Sequence, residues 1–199
     1  AELAVGSRDW SAVMARLGEC RHAPAATSEI CAAGQRTPGE TVVGGTFAMV
    51  PGGKGANQAV AAARAGGDVV FIARVGNDVF GASAVEGYER EGIDVSWIRR
   101  DEKLATGVAL ILVDAQGENL ISVASGANFA LSPADVDAAA DVIRSAQAVV
   151  VQLETPLEAV ERVAEIAAEA GVPLILDPAP APSEPLPASL LEKVAVIKP

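Results

Sequence analysis

Three short, nearly uninterrupted apolar runs, at residues 148–153, 172–176 and 194–197, constrain this chain more than any other feature. Runs of this length without polar alternation are the mark of strands buried on both faces, as in a parallel sheet covered on its two sides. Between the first two lies a segment with helical period. Leu157, Val160, Val163, Ala164 and Ala167 fall on one face, and Glu158, Glu161, Glu165 and Glu169 largely on the other. Thr155-Pro156 marks its start, a capping hydroxyl ahead of proline at the first helical position, with Glu158 three residues after the cap; Gly171 marks its end. Ser132-Pro133 with Asp135 repeats the same start signal. Upstream, residues 54–65, 69–75 and 78–91 read as helix, strand and helix. This alternation predicts an α/β fold in three layers, with helices on both faces of a largely parallel sheet.

Residues 106–113 and 118–124 break the rhythm. They are apolar or alternating runs joined by Asp114-Ala115-Gln116-Gly117, which predicts an antiparallel hairpin. A hydrophobic strand pair outside the main sheet exposes edges and apolar faces, so a partner surface is expected there; the alternative is a hairpin packed on its own domain. No apolar stretch of the 199 residues is long enough to span a bilayer. The formal net charge of −11, with the basic residues dispersed, repels phosphodiester backbones. No membrane and no nucleic-acid partner is expected, which leaves a small molecule. Cys20, Cys31 and His22 make neither a disulfide framework nor a closed zinc site, and no metal ligand is assigned.

The run Gly52-Gly53-Lys54-Gly55-Ala56-Asn57-Gln58-Ala59 leads into an alanine-rich segment. Such a run places unobstructed backbone N–H groups at a helix start, with Lys54 and Asn57 as further donors, which equips it for a polar or anionic ligand. The ordinary alternative is a glycine-rich turn opening a surface helix. Lys54 is followed by Gly55 rather than Ser or Thr, so the run is not a Walker A loop. With no convincing strand entering it directly and no acidic ribose reader at the right place, it is a poor dinucleotide turn as well.

Gly53-Lys54-Gly55-Ala56-Asn57-Gln58-Ala59, with Gly66 and Gly76 at their spacing, resembles the first signature of the ribokinase-like, or PfkB, family of sugar kinases. Further similar blocks are Gly76-Asn77-Asp78-Val79-Phe80-Gly81, Glu91-Gly92-Ile93-Asp94, Thr106-Gly107-Val108-Ala109, Ser125-Gly126-Ala127-Asn128, Gln152-Leu153-Glu154-Thr155-Pro156 and Asp177-Pro178-Ala179-Pro180-Ala181. They cover residues 37–199 and resemble the ribokinase branch more than fructokinases or adenosine kinases. The resemblance implies a three-layer sheet with a small β lid, formed by residues of about 41–50 and 106–124, that closes over the sugar and pairs two subunits as a homodimer. It implies a cytoplasmic enzyme that transfers the γ-phosphate of ATP to the 5-hydroxyl of D-ribose with Mg²⁺ and a monovalent cation, K⁺. Gly53, Lys54 and Asn57 would hold ribose hydroxyls, Glu154 would hydrogen-bond the sugar, and Asp177 would lie near the ATP phosphates. Glu154 and Asp177 stand just past strand ends, where the crevice of an open α/β sheet gathers ligand residues. Their ordinary alternatives are a solvated residue ahead of Thr155-Pro156 and a turn former before Pro178.

The resemblance also implies what lies elsewhere. Residues 1–36 read as an atypical leader, with no sustained strand alternation over 8–36, from which no site residue is transferred; Asp9 is a faint candidate for a sugar aspartate. The family's Asn-x-x-Glu and Gly-Ala-Gly-Asp blocks, with the catalytic aspartate, are expected beyond Pro199, so no catalytic residue is assigned here and activity of the 199 residues alone is doubtful. Other readings are an inactive sugar-binding or dimerisation module, another sugar or nucleoside kinase of the family, and a nucleotide-binding oxidoreductase domain. Trp97 and Tyr88 read as packing residues, Met49 as lid surface, 99–102 as a solvated charged turn and 178–187 as a stiff loop.

Overall fold

The computed structural model describes residues 3–5, 26–32, 45–114 and 116–198. Asp9, Cys20, His22, the first lid residues 41–44 and most of the expected leader lie outside them.

Among the described residues a six-stranded sheet runs in the order β10 (Val194–Ile197), β9 (Leu174–Asp177), β8 (Val149–Gln152), β1 (Leu3–Val5), β4 (Val70–Gly76), β5 (Ile98–Asp101). β8, β9 and β10 are mutually parallel, as are β4 and β5, whereas β1 is antiparallel to both of its neighbours. β4 shows the layering. Its Phe71 and Ala73 pack with Ala56, Ala59 and Ala62 of α1 (Lys54–Arg64) and Tyr88 of α2 (Val79–Arg90). Ile72, pointing the other way, packs with Val136 of α3 (Pro133–Ala138), Ile143 of α4 (Ala140–Ser145) and Val160 and Val163 of α5 (Leu157–Ala170). Two cores thus lie on opposite faces of one sheet, which is the expected three-layer α/β fold. The buried face of α1 is glycine and alanine, Gly55, Ala56, Ala59 and Ala62, so its backbone can approach the sheet closely. Phe71 and Tyr88 meet edge to face with centroids 5.0 Å apart, worth about 1 kcal/mol beyond their burial.

The start of α3 has the predicted capping box: Ser132 Oγ accepts from the Asp135 N–H, and Asp135 Oδ2 from the Ser132 N–H at 3.0 Å. α5 ends on Gly171 in the left-handed conformation, also as predicted. Its start differs. Pro156, not Thr155, is the N-cap, and no side chain caps the helix; Pro156 is extended, and its carbonyl accepts the first helical bonds while Thr155 is buried. The run 194–197 is parallel but not buried. β10 lies at the sheet edge with Val196 and Ile197 about half exposed. Residues 99–101, expected in a solvated turn, pair in parallel with β4 instead. Asp101 turns inward, where Arg74 Nε at 2.9 Å and the Lys103 and Leu104 N–H groups bind its carboxylate. Those backbone bonds, opposed by burial and aided by Arg74, hold its pKa below the ordinary value.

A second sheet of four strands runs in the order β3 (Thr46–Pro51), β2 (Ala26–Ala32), β6 (Val108–Asp114), β7 (Asn119–Ala124). β6 and β7 form the predicted hairpin, with Gly117 at φ 84° and Asp114 Oδ1 accepting from the Gln116 and Glu118 N–H groups at the turn. β2 comes from the segment read as a leader without strand character, yet it is antiparallel to β3 and parallel to β6. Long-range pairing supplies what local alternation did not signal. Phe47, Met49, Leu110, Leu120, Ile121 and Val123 are each more than half exposed on this sheet.

The root of the hairpin is tied to the main sheet through Asp78, the N-cap of α2. Its carboxylate accepts from the Gly81 N–H at 2.8 Å, the Thr106 N–H at 2.8 Å and the Thr106 hydroxyl at 2.7 Å. Thr106 Oγ1 accepts in turn from the Gly76 N–H at 2.9 Å, and on the other side of the root the Ala127 N–H donates to the Ala105 carbonyl. No described helix is long and apolar enough to cross a membrane.

Candidate functional site

β3 runs directly into Gly52-Gly53, and α1 begins at Lys54. A strand therefore does enter the glycine run, contrary to the sequence reading, but it belongs to the second sheet and does not form a βα unit of the main one. Gly53 takes φ 101° and ψ 139°, a conformation side chains rarely adopt, and no side chain of its own segment caps the helix. The cap comes from far along the chain. The Lys54 N–H donates to Glu154 Oε2 at 2.9 Å, and Lys54 Nζ ion-pairs with Glu154 Oε1. A carboxylate at a helix N-terminus is favoured by the helix dipole, and here it is held by a charge-assisted bond as well. Glu154 follows the C-terminal end of β8, and both partners remain partly exposed, at 41% and 25%.

One turn further along α1, Gln58 reaches the ends of β8 and β9. Its Nε2 donates to Asp177 Oδ2 at 2.7 Å, and its Oε1 accepts from Gln152 Nε2. Gln152 and Asp177 are register partners, the last residues of their parallel strands, and both are buried. Lys198 Nζ lies 3.5 Å from Asp177 Oδ2. Asn57 sits half-buried on the first turn, its backbone N–H bonded to the Gly53 carbonyl.

The residues singled out in the sequence therefore come together. Gly53, Lys54 and Asn57 form the helix start, Glu154 meets Lys54, and Asp177 lies one helical turn deeper, connected through Gln58. No role was foreseen for Gln58 or Gln152. The signals were a second polar side chain four residues after Lys54, on the same helix face, and a polar residue closing an otherwise apolar strand. An ammonium, an amide and two carboxylates at the C-terminal ends of parallel strands can hold several hydroxyl groups at once, donating to some and accepting from others. Among the described residues no three His, Cys, Asp or Glu side chains gather as metal ligands.

The sequence profile described as pfkB family carbohydrate kinase matches residues 15–199. The chain is 44% identical over 163 residues to a bifunctional ribokinase/ribose-5-phosphate isomerase A of Fructilactobacillus sanfranciscensis, an alignment that covers 81% of this chain and 30% of that protein. It is 43% identical over 162 residues to the ribokinase of Haemophilus influenzae, covering 81% and 52%. Among solved structures, the ribokinase of Arabidopsis thaliana complexed with ribose and ATP superposes with a TM-score of 0.74 at 30% identity, covering 87% of this chain and 57% of that one. The chain thus spans about half or less of the length of the curated relatives it matches. The profile match begins at residue 15, inside the stretch that the resemblance alone left unmatched.

Proposed function

The chain belongs to the pfkB family of carbohydrate kinases, and on that premise we propose that the protein it forms is a ribokinase-type enzyme, transferring the γ-phosphate of ATP to the 5-hydroxyl of D-ribose. The observation that carries this reading is the meeting of Lys54 and Glu154 at a glycine-opened helix start, 100 positions apart in sequence. It gives a donor and an acceptor at one point on the crevice edge, with Asn57 on the same first turn of the helix. A pentose presents hydroxyls that both donate and accept, and this set suits them. Before the sugar arrives, Lys54 and Glu154 satisfy each other, so neither charge is left unpaired.

On this reading Gly53, Lys54, Asn57 and Glu154 hold the sugar, and Asp177 faces the nucleotide phosphates. Phosphoryl transfer needs alignment and neutralisation of phosphate charge more than covalent participation by the protein. Mg²⁺ in kinases is held by one or two carboxylates together with the phosphates themselves. When bound it would neutralise the charge of the transferring group, with Asp177 the carboxylate of this chain assigned to that side. No ligand for K⁺ is assigned. The four-stranded sheet is the lid, its exposed Phe47, Met49, Leu110 and Leu120, which share one face, the surface through which two copies pair, and the enzyme works in the cytoplasm.

Initial rates of the full-length protein test the sugar assignment. Asn57→Ala should raise the KM for ribose by about tenfold, because it strands a substrate hydroxyl without its partner. The KM for ATP should stay within about twofold. Glu154→Gln should shift the same constant in the same direction. Equal effects on both substrates would overturn the assignment.

A further inference from the structure

We propose that Gln58 and Gln152 are positioning residues, forming an amide relay of fixed direction that orients the Asp177 carboxylate toward the nucleotide side of the crevice. The inference rests on the assignment of Asp177 above and goes beyond it by naming what sets the geometry of that group. A carboxylate only accepts hydrogen bonds, so the end of Gln58 that meets Asp177 Oδ2 must be its NH₂. That choice turns Gln58 Oε1 toward β8, where only the NH₂ of Gln152 can meet it. The relay then ends on Gln152 Oε1, which is buried and has no hydrogen-bond partner among the described residues.

This orphan acceptor is the informative feature. Gln152 is 2% exposed, and a buried amide oxygen without a donor is unfavourable. Rotating the amide of Gln152 would set oxygen against oxygen at Gln58, and rotating Gln58 as well would set oxygen against the carboxylate. The carboxylate therefore fixes both amides, and the unmet acceptor is the cost of holding Asp177. A residue kept only for packing would be replaced without penalty by an apolar side chain of similar size. Gln58 also stands one turn after Lys54 on α1, so the helix that carries the proposed sugar donors is the one that holds Asp177.

A double-mutant cycle on the full-length protein tests this, using Gln152→Met, Gln58→Met and Asp177→Asn with ribose and ATP as substrates. Each methionine variant should raise the KM for ATP about tenfold and leave that for ribose within about twofold, since Gln58→Met removes the bond to the carboxylate and Gln152→Met removes the donor that keeps the Gln58 amide turned toward it. Combined with Asp177→Asn, the methionine substitutions should add little, because they act through that carboxylate. Full additivity, or methionine variants with unchanged KM for ATP while Asp177→Asn raises it, would overturn the relay. If Asp177→Asn itself leaves the KM for ATP unchanged, the nucleotide assignment of Asp177 fails, and the proposal with it. Should a methionine variant not fold, the Gln58 side-chain amide signal of the unmutated protein replaces it. Resistance to ¹⁵N–¹H exchange that Asp177→Asn abolishes supports the relay, and free exchange in the unmutated protein overturns it.

Discussion

Alanine in place of Gly76 should destabilise the protein by about 3 kcal/mol, at the upper end of what overpacking costs. A Cβ at this position would lie 2.4 Å from the Thr106 nitrogen, 2.6 Å from Asp78 Oδ2 and 2.7 Å from the Ala105 carbonyl carbon. None of these is the free end of a flexible side chain. Two are backbone atoms at the root of the hairpin, and the third belongs to a carboxylate already held by Gly81 and Thr106. Relief requires parting the end of β4 from the hairpin root, which removes the bond from the Gly76 N–H to Thr106 Oγ1. Denaturant unfolding monitored by circular dichroism checks this, with a fall in midpoint at constant m-value as the expected result. Gly87 is the control. It lies within α2, and a Cβ there meets nothing closer than the Arg90 guanidinium at 3.8 Å. Gly87→Ala should therefore stabilise by about 0.5–1 kcal/mol, the helix-propensity difference. Equal losses at the two positions would show that the hairpin root is not closely packed.

Asp78→Ala should cost about 2–3 kcal/mol, the sum of a lost helix cap and the orphaned Thr106 donors. Hydrogen exchange separates this from general loosening: amides of β6 and β7 should lose protection more than those of β8 and β9. The same carboxylate makes the connection sensitive to acid. Burial raises the Asp78 pKa, but the bonds from the Gly81 and Thr106 N–H groups, the Thr106 hydroxyl and the Phe80 N–H outweigh it and bring it below the ordinary value of 3.8. A depressed folded pKa means the ionised group is stabilised by folding. Its contribution is complete above the ordinary value and is lost as pH falls through the lower folded one. The stability difference between the unmutated protein and Asp78→Asn should therefore shrink below about pH 4. A difference that holds constant into strong acid would remove Asp78 from this role.

The elements legible in the sequence were those set by local chemistry. The period of α5, the capping box at Ser132 and the terminal Gly171 are statements about residues a few positions apart, and they match the fold. Thr155-Pro156 carried the same local signal as Ser132-Pro133, yet the proline itself became the N-cap and the threonine turned into the interior. Tertiary burial decided between two similar signals. β2 and the strand at Arg99 were missed because what holds them is pairing with β6 and β4, and their composition does not advertise it. The candidate site divides in the same way. Lys54 and Asn57 stood out as donors beside the glycine run, and Glu154 and Asp177 through the family resemblance and their places after apolar runs, but the Gln58–Gln152 connection between them depends on which strand ends α1 lies across. No spacing in the sequence encodes that.

β4 is the strand whose side chains enter both cores, Phe71 and Ala73 on one face and Ile72 on the other. Each helical layer packs on its own face of this strand, so neither can dock fully while β4 is unformed. Partial unfolding of one layer must strip one side of this strand, and the loss is felt at once on the opposite side. An order of folding is expected from this: β4 in the earliest common structure, its central amides the last to exchange with solvent in native-state hydrogen exchange, and the two faces melting as one cooperative unit.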